Sequence, residues 1–261
     1  MISDLYIEEW FGKAPWKQKF MIEQDMVITR ALIELYNNPV IRKSLVFRGG
    51  TALNKVYFEK PTRYSEDIDF VQIAPAPIGD VVNSIRESLD NLLGEPKRKF
   101  TERSVKLIYR YQNIENTVSK LKLEINTTEH FHIEPLRKVS CKMESTWWQG
   151  HSDELLTYSL NELMATKLKA MYQRKKGRDL YDLWYVIKNN LIDPAKVIPI
   201  FKLYCKEEKV IITRKLFDIN LQEKKENRDY LEDVKPLLAL NSSWNEDEAF
   251  TLLEQTLIEK L

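Results

Sequence analysis

Two aspartates, Asp67 and Asp69, lie two residues apart in a short segment that is otherwise apolar. In an extended strand alternate side chains point to opposite faces of the sheet, so both carboxylates would share one face, with Ile68 and Phe70 on the other. Two neighbouring anions repel each other unless a proton or a cation joins them, which makes a divalent metal the simplest explanation. The alternative is a solvated strand edge, but Ile68 and Phe70 demand burial and so give the aspartates a defined side of a sheet.

A later segment, residues 121–126, alternates in the same way and has Glu124 on its polar face. If this strand neighbours the first, Glu124 could complete a trio of carboxylates. Lys122 and Asn126 share that face, however, so a merely solvated face remains an equal interpretation.

A glycine pair, Gly49 and Gly50, follows the short apolar run 45–47 and precedes a segment with helical spacing that starts at Thr51. We expect a strand, a tight turn and a helix. Unpaired amides at a helix start attract anions, and glycines let a ligand approach the backbone closely, so the turn suits a triphosphate. An ordinary turn with Thr51 as helix cap is the alternative.

One lysine, Lys167, falls inside the apolar stripe of a predicted helix. The helix begins at the capping-box residues Ser159 and Glu162, runs to about Lys176 and is capped by Gly177. A lysine in such a stripe either extends its amine to solvent or binds an anion such as phosphate.

Further charged residues follow this helix. A basic cluster surrounds Gly177 and is either a solvated helix end or a contact for a nucleic-acid backbone: Arg174, Lys175, Lys176 and Arg178. Asp179 and Asp182 lie three apart on the next predicted helix and face the same way. Asp179 could simply cap the helix start, whereas Asp182 lies beside Leu183 and Trp184 and is harder to interpret as a surface residue.

Bulk properties exclude several classes of protein. The 261 residues carry 40 lysines and arginines against 39 acids, so any RNA site must be a local patch. Cys141 and Cys205 show no metal-binding or disulfide spacing, which favours a reducing compartment. The acidic start of the chain does not resemble a secretory signal, and no apolar run approaches the ~20 residues of a membrane span. The sequence therefore predicts a cytoplasmic protein that is not membrane-bound.

The wider pattern predicts helices and strands around these residues. A helix over 17–38 should end at Pro39, and beyond about His151 the pattern turns helical, so we place the boundary between lobes 1–150 and 151–261. The other predicted elements are helix 77–93, strand 105–111, helix 179–189 and helix 249–261.

Four ordered motifs resemble those of the AbiEii/AbiGii toxin family, which includes the MenT toxins. They are FRGGTALNK (47–55), RYSEDIDF (63–70), KLKA (167–170) and RDLYDL (178–183). The segment EQDMVITRAL (23–32) is also similar to the helix that precedes them, so the resemblance covers about residues 20–190.

That resemblance implies an α+β fold of the DNA polymerase β type, with a mixed sheet in the N-terminal nucleotidyltransferase lobe and a helical C-terminal lobe. It also implies site residues. Those for the nucleotide are Gly49, Gly50, Thr51, Lys55 and Ser65; those for Mg²⁺ or Mn²⁺ are Asp67 and Asp69, with Glu124 as a looser third; those that complete the catalytic site are Lys167, Asp182 and Asp179.

The resemblance further implies transfer of a nucleotide from an NTP to RNA, with the tRNA 3′ end as acceptor and a cognate antitoxin as partner. Three rivals remain: transfer of phosphate or nucleotide to a protein such as the antitoxin, transfer to a small molecule, or a non-catalytic module that only binds nucleotide.

Overall fold

A computed structural model describes residues 2–240 and 242–261. Its helices in these ranges are α1 (Asp4–Trp10), α2 (Lys19–Asn37), α3 (Pro39–Ser44), α4 (Gly49–Ala52, continued by a π-helical turn Leu53–Tyr57), α5 (Gly79–Leu93), α6 (Leu160–Gln173), α7 (Gly177–Lys188), α8 (Pro194–Glu207), α9 (Arg214–Lys225), α10 (Arg228–Glu232) and α11 (Glu246–Thr256), with 3₁₀ turns at Lys235–Leu237 and Ile258–Lys260. Its strands are β1 (Leu45–Arg48), β2 (Asp67–Gln72), β3 (Lys97–Phe100), β4 (Ser104–Gln112), β5 (Val118–Asn126), β6 (Arg137–Glu144) and β7 (Gln149–Thr157).

The described strands form one mixed sheet in the order β3-β4-β5-β2-β1-β7-β6. β2 runs antiparallel to β1 and parallel to β5, and β1 runs parallel to β7. This confirms the predicted α+β fold. It also confirms that the strands carrying Asp69 and Glu124 are neighbours, because these two residues lie directly opposite each other.

One face of the sheet is apolar and carries helices. The rings of Tyr36 on α2 and Phe47 on β1 lie 6.2 and 6.0 Å from the ring of Phe70. On the same face, the Tyr109 hydroxyl of β4 donates to Asp90 of α5 at 3.1 Å. Burial of these large side chains on one face leaves the alternate residues of β2, β4 and β5 to face the other way.

The chain divides into two compact units, one ending at Tyr158 and the other comprising Ser159–Leu261. The predicted start of helical structure at about 151 is wrong, because residues 149–157 form β7. The polar residues His151, Ser152 and Asp153 interrupt its apolar alternation, which hid the strand. The predicted boundary at 150 falls inside β7.

One predicted helix end is confirmed and another is wrong. The first helix ends before Pro39 as predicted, since α2 stops at Asn37. Pro39 then begins a separate helix, α3, because the Asn38 side chain caps the amides of Val40 and Ile41 and proline suits the first position of a helix. Gly177 does not cap α6, whose C-cap is Arg174, but is the first residue of α7.

The Gly177 position has no room for a side chain, because a Cβ there would overlap the main-chain carbonyl oxygen of Tyr230. We expect Gly177→Ala to lower the free energy of unfolding by about 1–3 kcal/mol, since backbone must shift to relieve the overlap. Urea titration of the two proteins measures the difference. Gly79→Ala is the control, because nothing lies within 4 Å of a Cβ at that helix start; equal losses in both variants would contradict the packing explanation.

Candidate active site

The glycine turn lies against the first aspartate-bearing strand. Gly49 has a φ of 84°, in the left-handed region that favours glycine, and a Cβ at this position would overlap the Asp69 carboxylate. A Cβ at Gly50 would overlap the guanidinium of the buried Arg63. Gly49 is therefore needed for both its backbone conformation and its close packing on β2, and Gly50 allows the Arg63 guanidinium to pack against the turn.

A threonine fastens the turn to this strand. The buried Thr51 hydroxyl donates to the main-chain carbonyl of Asp67 and shares a 2.9 Å hydrogen bond with the Ser65 hydroxyl. The structure thus brings Gly49, Gly50, Thr51 and Ser65 together beside Asp67. Thr51 is bound to protein atoms, so its main effect is to fix the position of the turn.

The acidic residues lie on the sheet face opposite α2 and α5. Asp67 lies opposite Lys122 in the β2–β5 register, and the Lys122 amine is 2.8 Å from the Asp67 carboxylate and 3.3 Å from Glu124. Lys106 on β4 is 2.8 Å from the other oxygen of Glu124. The positive charges of Lys122 and Lys106 therefore offset the negative charges of Asp67 and Glu124.

The neighbouring charges affect the pKa values of Asp69 and Glu124 in opposite directions. Burial raises the pKa of the Asp69 carboxyl, and the neighbouring Asp67 charge adds to this effect, although Arg48 and Lys122 oppose it. Glu124 also loses hydration, yet its pKa is lowered because Lys106 and Lys122 bind its ionised form. Of these two carboxylates, Asp69 is therefore the one whose charge is less well compensated by neighbouring cations.

The donor set of Asp67 and Asp69 fits a hard divalent cation. Mg²⁺ is commonly held by one or two carboxylates together with substrate phosphates, rather than by a cage made only of protein ligands. Within the described residues no three His, Cys, Asp or Glu side chains converge closely enough to hold a metal. Glu124 is held towards Lys106 and Lys122, and its assignment as a third ligand stays a prediction.

Lys55 contacts α2 and not the aspartates of β2. Its amine is 2.7 Å from Asp25 and 2.8 Å from the Thr29 hydroxyl, and the indole of Trp10 donates to the same Asp25 oxygen at 2.9 Å. These contacts link α1, α2 and the π-helical turn. They give Lys55 a structural contact that its position in the motif did not reveal, while its predicted contact with nucleotide stays a prediction.

A second cluster lies within the helical unit. The Lys167 amine is 3.2 Å from Asp179 and 2.9 Å from Asp182, and these side chains are 9, 0 and 1% exposed. Arg174 binds Asp179 with two hydrogen bonds of 2.7 and 2.8 Å. The structure thus unites the three C-terminal site residues chosen from sequence and shows that Lys167 finds anions in its own unit.

The ion pairs of Asp179 predict that the stability of the fold depends on pH in the acidic range. Burial opposes ionisation, but Lys167 and Arg174 outweigh it and lower the pKa of Asp179 to about 2, below the ordinary 3.8. Because the folded protein binds this proton less readily than the unfolded chain, the group stabilises the fold above pH ~4 and loses that contribution, about 2 kcal/mol, as the pH falls towards 2. Urea unfolding of wild type and Asp179→Asn should differ most near neutrality; a constant difference down to pH 2 would contradict the assignment.

Sequence reasoning missed some of the charged contacts. Lys106 alternates out of an apolar strand and could have been found from that pattern. Three of the four residues in the basic cluster around Gly177 pair with carboxylates of the same unit. Arg174 pairs with Asp179, and Lys176 and Arg178 lie 3.4 and 3.9 Å from Asp233. Sequence spacing gave no sign of Asp233 because it is more than 50 residues away.

Among the helices of the described ranges, none combines the length and apolar composition that crossing a bilayer requires.

Solved structures with the same fold define the class. Over 100% of this chain and 90% of the other, the structure is similar to MenT4, a nucleotidyltransferase toxin from Mycobacterium tuberculosis, with a TM-score of 0.60 and 18% identity. It is also similar to JHP933 from Helicobacter pylori over 92% of this chain and 93% of the other, with a TM-score of 0.56 and 20% identity. Among curated proteins none matches significantly. The fold is that of nucleotidyltransferases.

The sequence model of the AbiEii nucleotidyl transferase toxins of type IV toxin–antitoxin systems matches residues 30–252. The chain belongs to this family and is a nucleotidyltransferase toxin.

Proposed function

We propose that this toxin transfers a nucleotide from an NTP to the 3′ end of tRNA in the cytoplasm, in a reaction that requires Mg²⁺ or Mn²⁺. The observation that carries the proposal is the pair Asp67 and Asp69 on one sheet face, with the Gly49 turn packed against Asp69. In a nucleotidyltransferase this is the arrangement that can hold a metal and a triphosphate side by side.

Asp67 and Asp69 would hold the metal through carboxylate oxygens. When bound, the ion supplies positive charge to the triphosphate and to the attacking oxygen. The pKa of Asp69 is raised by burial and by Asp67, so a bound cation would stabilise its ionised form. Lys122, now 2.8 Å from Asp67, would be free to turn towards phosphate once another cation neutralises that carboxylate.

The glycine turn would bind the triphosphate. Gly49 and Gly50 expose backbone at the start of α4, where unpaired amides carry partial positive charge. In the reaction the acceptor hydroxyl oxygen bonds to the α-phosphorus, the bond to pyrophosphate breaks and the hydroxyl proton is released. The side chains of this chain orient and neutralise the reactants, and no covalent enzyme intermediate is required.

Lys167 is proposed to add positive charge near phosphate. Its amine already has two carboxylate partners, Asp179 and Asp182, which hold the side chain in one place. Asp179 and Asp182 are then positioning residues for Lys167 in this proposal.

Incubation of the purified toxin with each α-labelled NTP and bulk tRNA tests the proposal. We expect label in tRNA with at least one nucleotide, loss of the label with a chelator and its return with Mg²⁺ or Mn²⁺. No transfer with any of the four nucleotides would reject the proposed acceptor.

The same reactions also separate the remaining acceptors. Label recovered in co-expressed antitoxin would favour a protein acceptor, and label in neither macromolecule but in an added aminoglycoside would favour a small molecule. A growth defect that persists in Asp67→Asn would favour nucleotide binding without catalysis.

A further inference from the structure

The sheet face that carries the aspartates continues as a basic surface across β5, β4 and β3. The strand registers fix its cross-strand rows: Lys99 lies opposite Lys106, Lys106 opposite Glu124, and Glu124 opposite Asp69. A neighbouring row runs from Lys97 through Ile108 and Lys122 to Asp67. Because directly opposite residues share a face, all of these side chains lie on the side of the aspartates.

A third row adds two more cations, since Arg110 lies opposite Lys120. From β2 to β3 this face carries six cations and three carboxylates. We call the six the basic track: Lys97, Lys99, Lys106, Arg110, Lys120 and Lys122. With about 4.8 Å between strands, the track extends roughly 14 Å from the aspartates to the open edge of the sheet.

The basic track contains an electrostatic conflict. Lys99 faces Lys106, and Arg110 faces Lys120, although like charges placed directly opposite destabilise a sheet. Within residues 2–240 and 242–261 no carboxylate pairs with the side chains of Lys97, Lys99, Arg110 or Lys120. These four side chains are exposed, so their charges are available to an external anion.

Protection of the sheet edge explains only part of this pattern. Lysines on an edge strand discourage pairing with other chains, which would account for Lys97 and Lys99 on β3. Arg110 and Lys120 lie beyond the pairing of β4 with β3, which ends at Ile108, and of β5 with β2, which begins at Lys122. Single cations would protect these short edges, yet the two side chains lie directly opposite each other, which destabilises the sheet. Their pairing against each other needs a different reason.

We propose that the basic track binds the sugar–phosphate backbone of the RNA acceptor and leads its 3′ end to Asp67 and Asp69. This inference rests on the proposed function for its catalytic consequence, although the binding itself does not depend on transfer. A polyanion with repeated charges fits a track of cations spread over three strands. The basic cluster around Gly177 is a weaker candidate, because most of its cations already pair with carboxylates.

Two double variants test the track: Lys97→Gln/Lys99→Gln and Arg110→Gln/Lys120→Gln. The control is Arg42→Gln/Lys43→Gln on α3, which removes the same charge from exposed residues of the same unit. Binding of 5′-fluorescein-labelled tRNA is followed by anisotropy between 50 and 200 mM salt, and NTP binding is measured separately by calorimetry.

We expect each track variant to weaken RNA binding several-fold at low salt and to reduce the slope of log K against log salt by about 0.7 for every phosphate contact removed. NTP affinity and the control's RNA affinity should stay at wild-type values. Where transfer is observed, the KM for tRNA should rise while the KM for NTP does not.

RNA binding by the track variants that equals that of the control would overturn the inference, whether or not transfer occurs. Displacement of the labelled tRNA by polyglutamate as readily as by unlabelled RNA would also overturn it, in favour of an acidic protein as occupant. If RNA binds through the track and no nucleotide is transferred, the surface assignment stands and the proposed function fails.

Discussion

Asp67→Asn and Asp69→Asn should each reduce nucleotide transfer by at least about 100-fold. The amide keeps the size of the side chain but removes the charge that would hold the metal and, with it, electrostatic stabilisation of the transition state, whose loss has effects of this order. Label transfer to tRNA measures the loss, and single-turnover rates exclude an effect on product release. Glu66→Gln is the matched control, because Glu66 is an exposed neighbour in the same segment.

The same substitution at Asp69 should increase stability in the absence of divalent cations. The raised pKa of Asp69 means that the fold disfavours its ionised form, so wild type loses stability as the pH rises from the unfolded value near 4 through the raised folded value. Asparagine removes that penalty. We therefore expect Asp69→Asn to have a higher Tm than wild type at pH 7 and the same Tm at low pH.

This opposition between activity and stability distinguishes a functional carboxylate from a structural one. Substitution of an aspartate with a structural role would instead lower the stability of the protein. Full activity in Asp69→Asn, or a lower Tm at pH 7 without metal, would contradict the role assigned to Asp69.

Lys167→Ala should be the most destabilising of the substitutions considered, at about 3–5 kcal/mol. Removal of the amine leaves Asp182 and, in part, Asp179 as buried charges without their principal partner, and breaking a buried pair has a cost of this size. Arg174 still pairs with Asp179, so Asp182 should carry most of the effect. Urea unfolding at pH 7 measures the change.

The exposed pair of Lys188 and Glu248, at 2.8 Å on the same unit, supplies the control. Lys188→Ala should change stability by no more than about 1 kcal/mol, because solvent screens such a pair. Lys167→Arg keeps the positive charge and therefore distinguishes a role in stability from a role in catalysis. If this variant is as stable as wild type but transfers no nucleotide, Lys167 acts in catalysis as well. Equal stability of Lys167→Ala and wild type would contradict the buried ion-pair network.

Much of this molecule follows from local sequence. The alternation around Asp67 and Asp69 predicted a strand with both carboxylates on one face, and the alternation around Glu124 predicted a second such strand. Capping chemistry located the start of α6, where the Ser159 hydroxyl accepts a hydrogen bond from the Glu162 amide at 3.1 Å. These features depend on residues a few positions apart, so the sequence by itself determined them.

Other features depend on residues that are distant in the chain, and only the tertiary structure decided them. Position 177 has no room for a side chain because the main chain of Tyr230 packs against it. Lys167 is paired with Asp179 and Asp182 because two helices bring them together. The basic track exists only through the registers that align β3, β4 and β5 with β2. Sequence spacing specifies which face of its own strand a residue occupies, but strand order and register come from packing of the whole sheet, which no local pattern encodes.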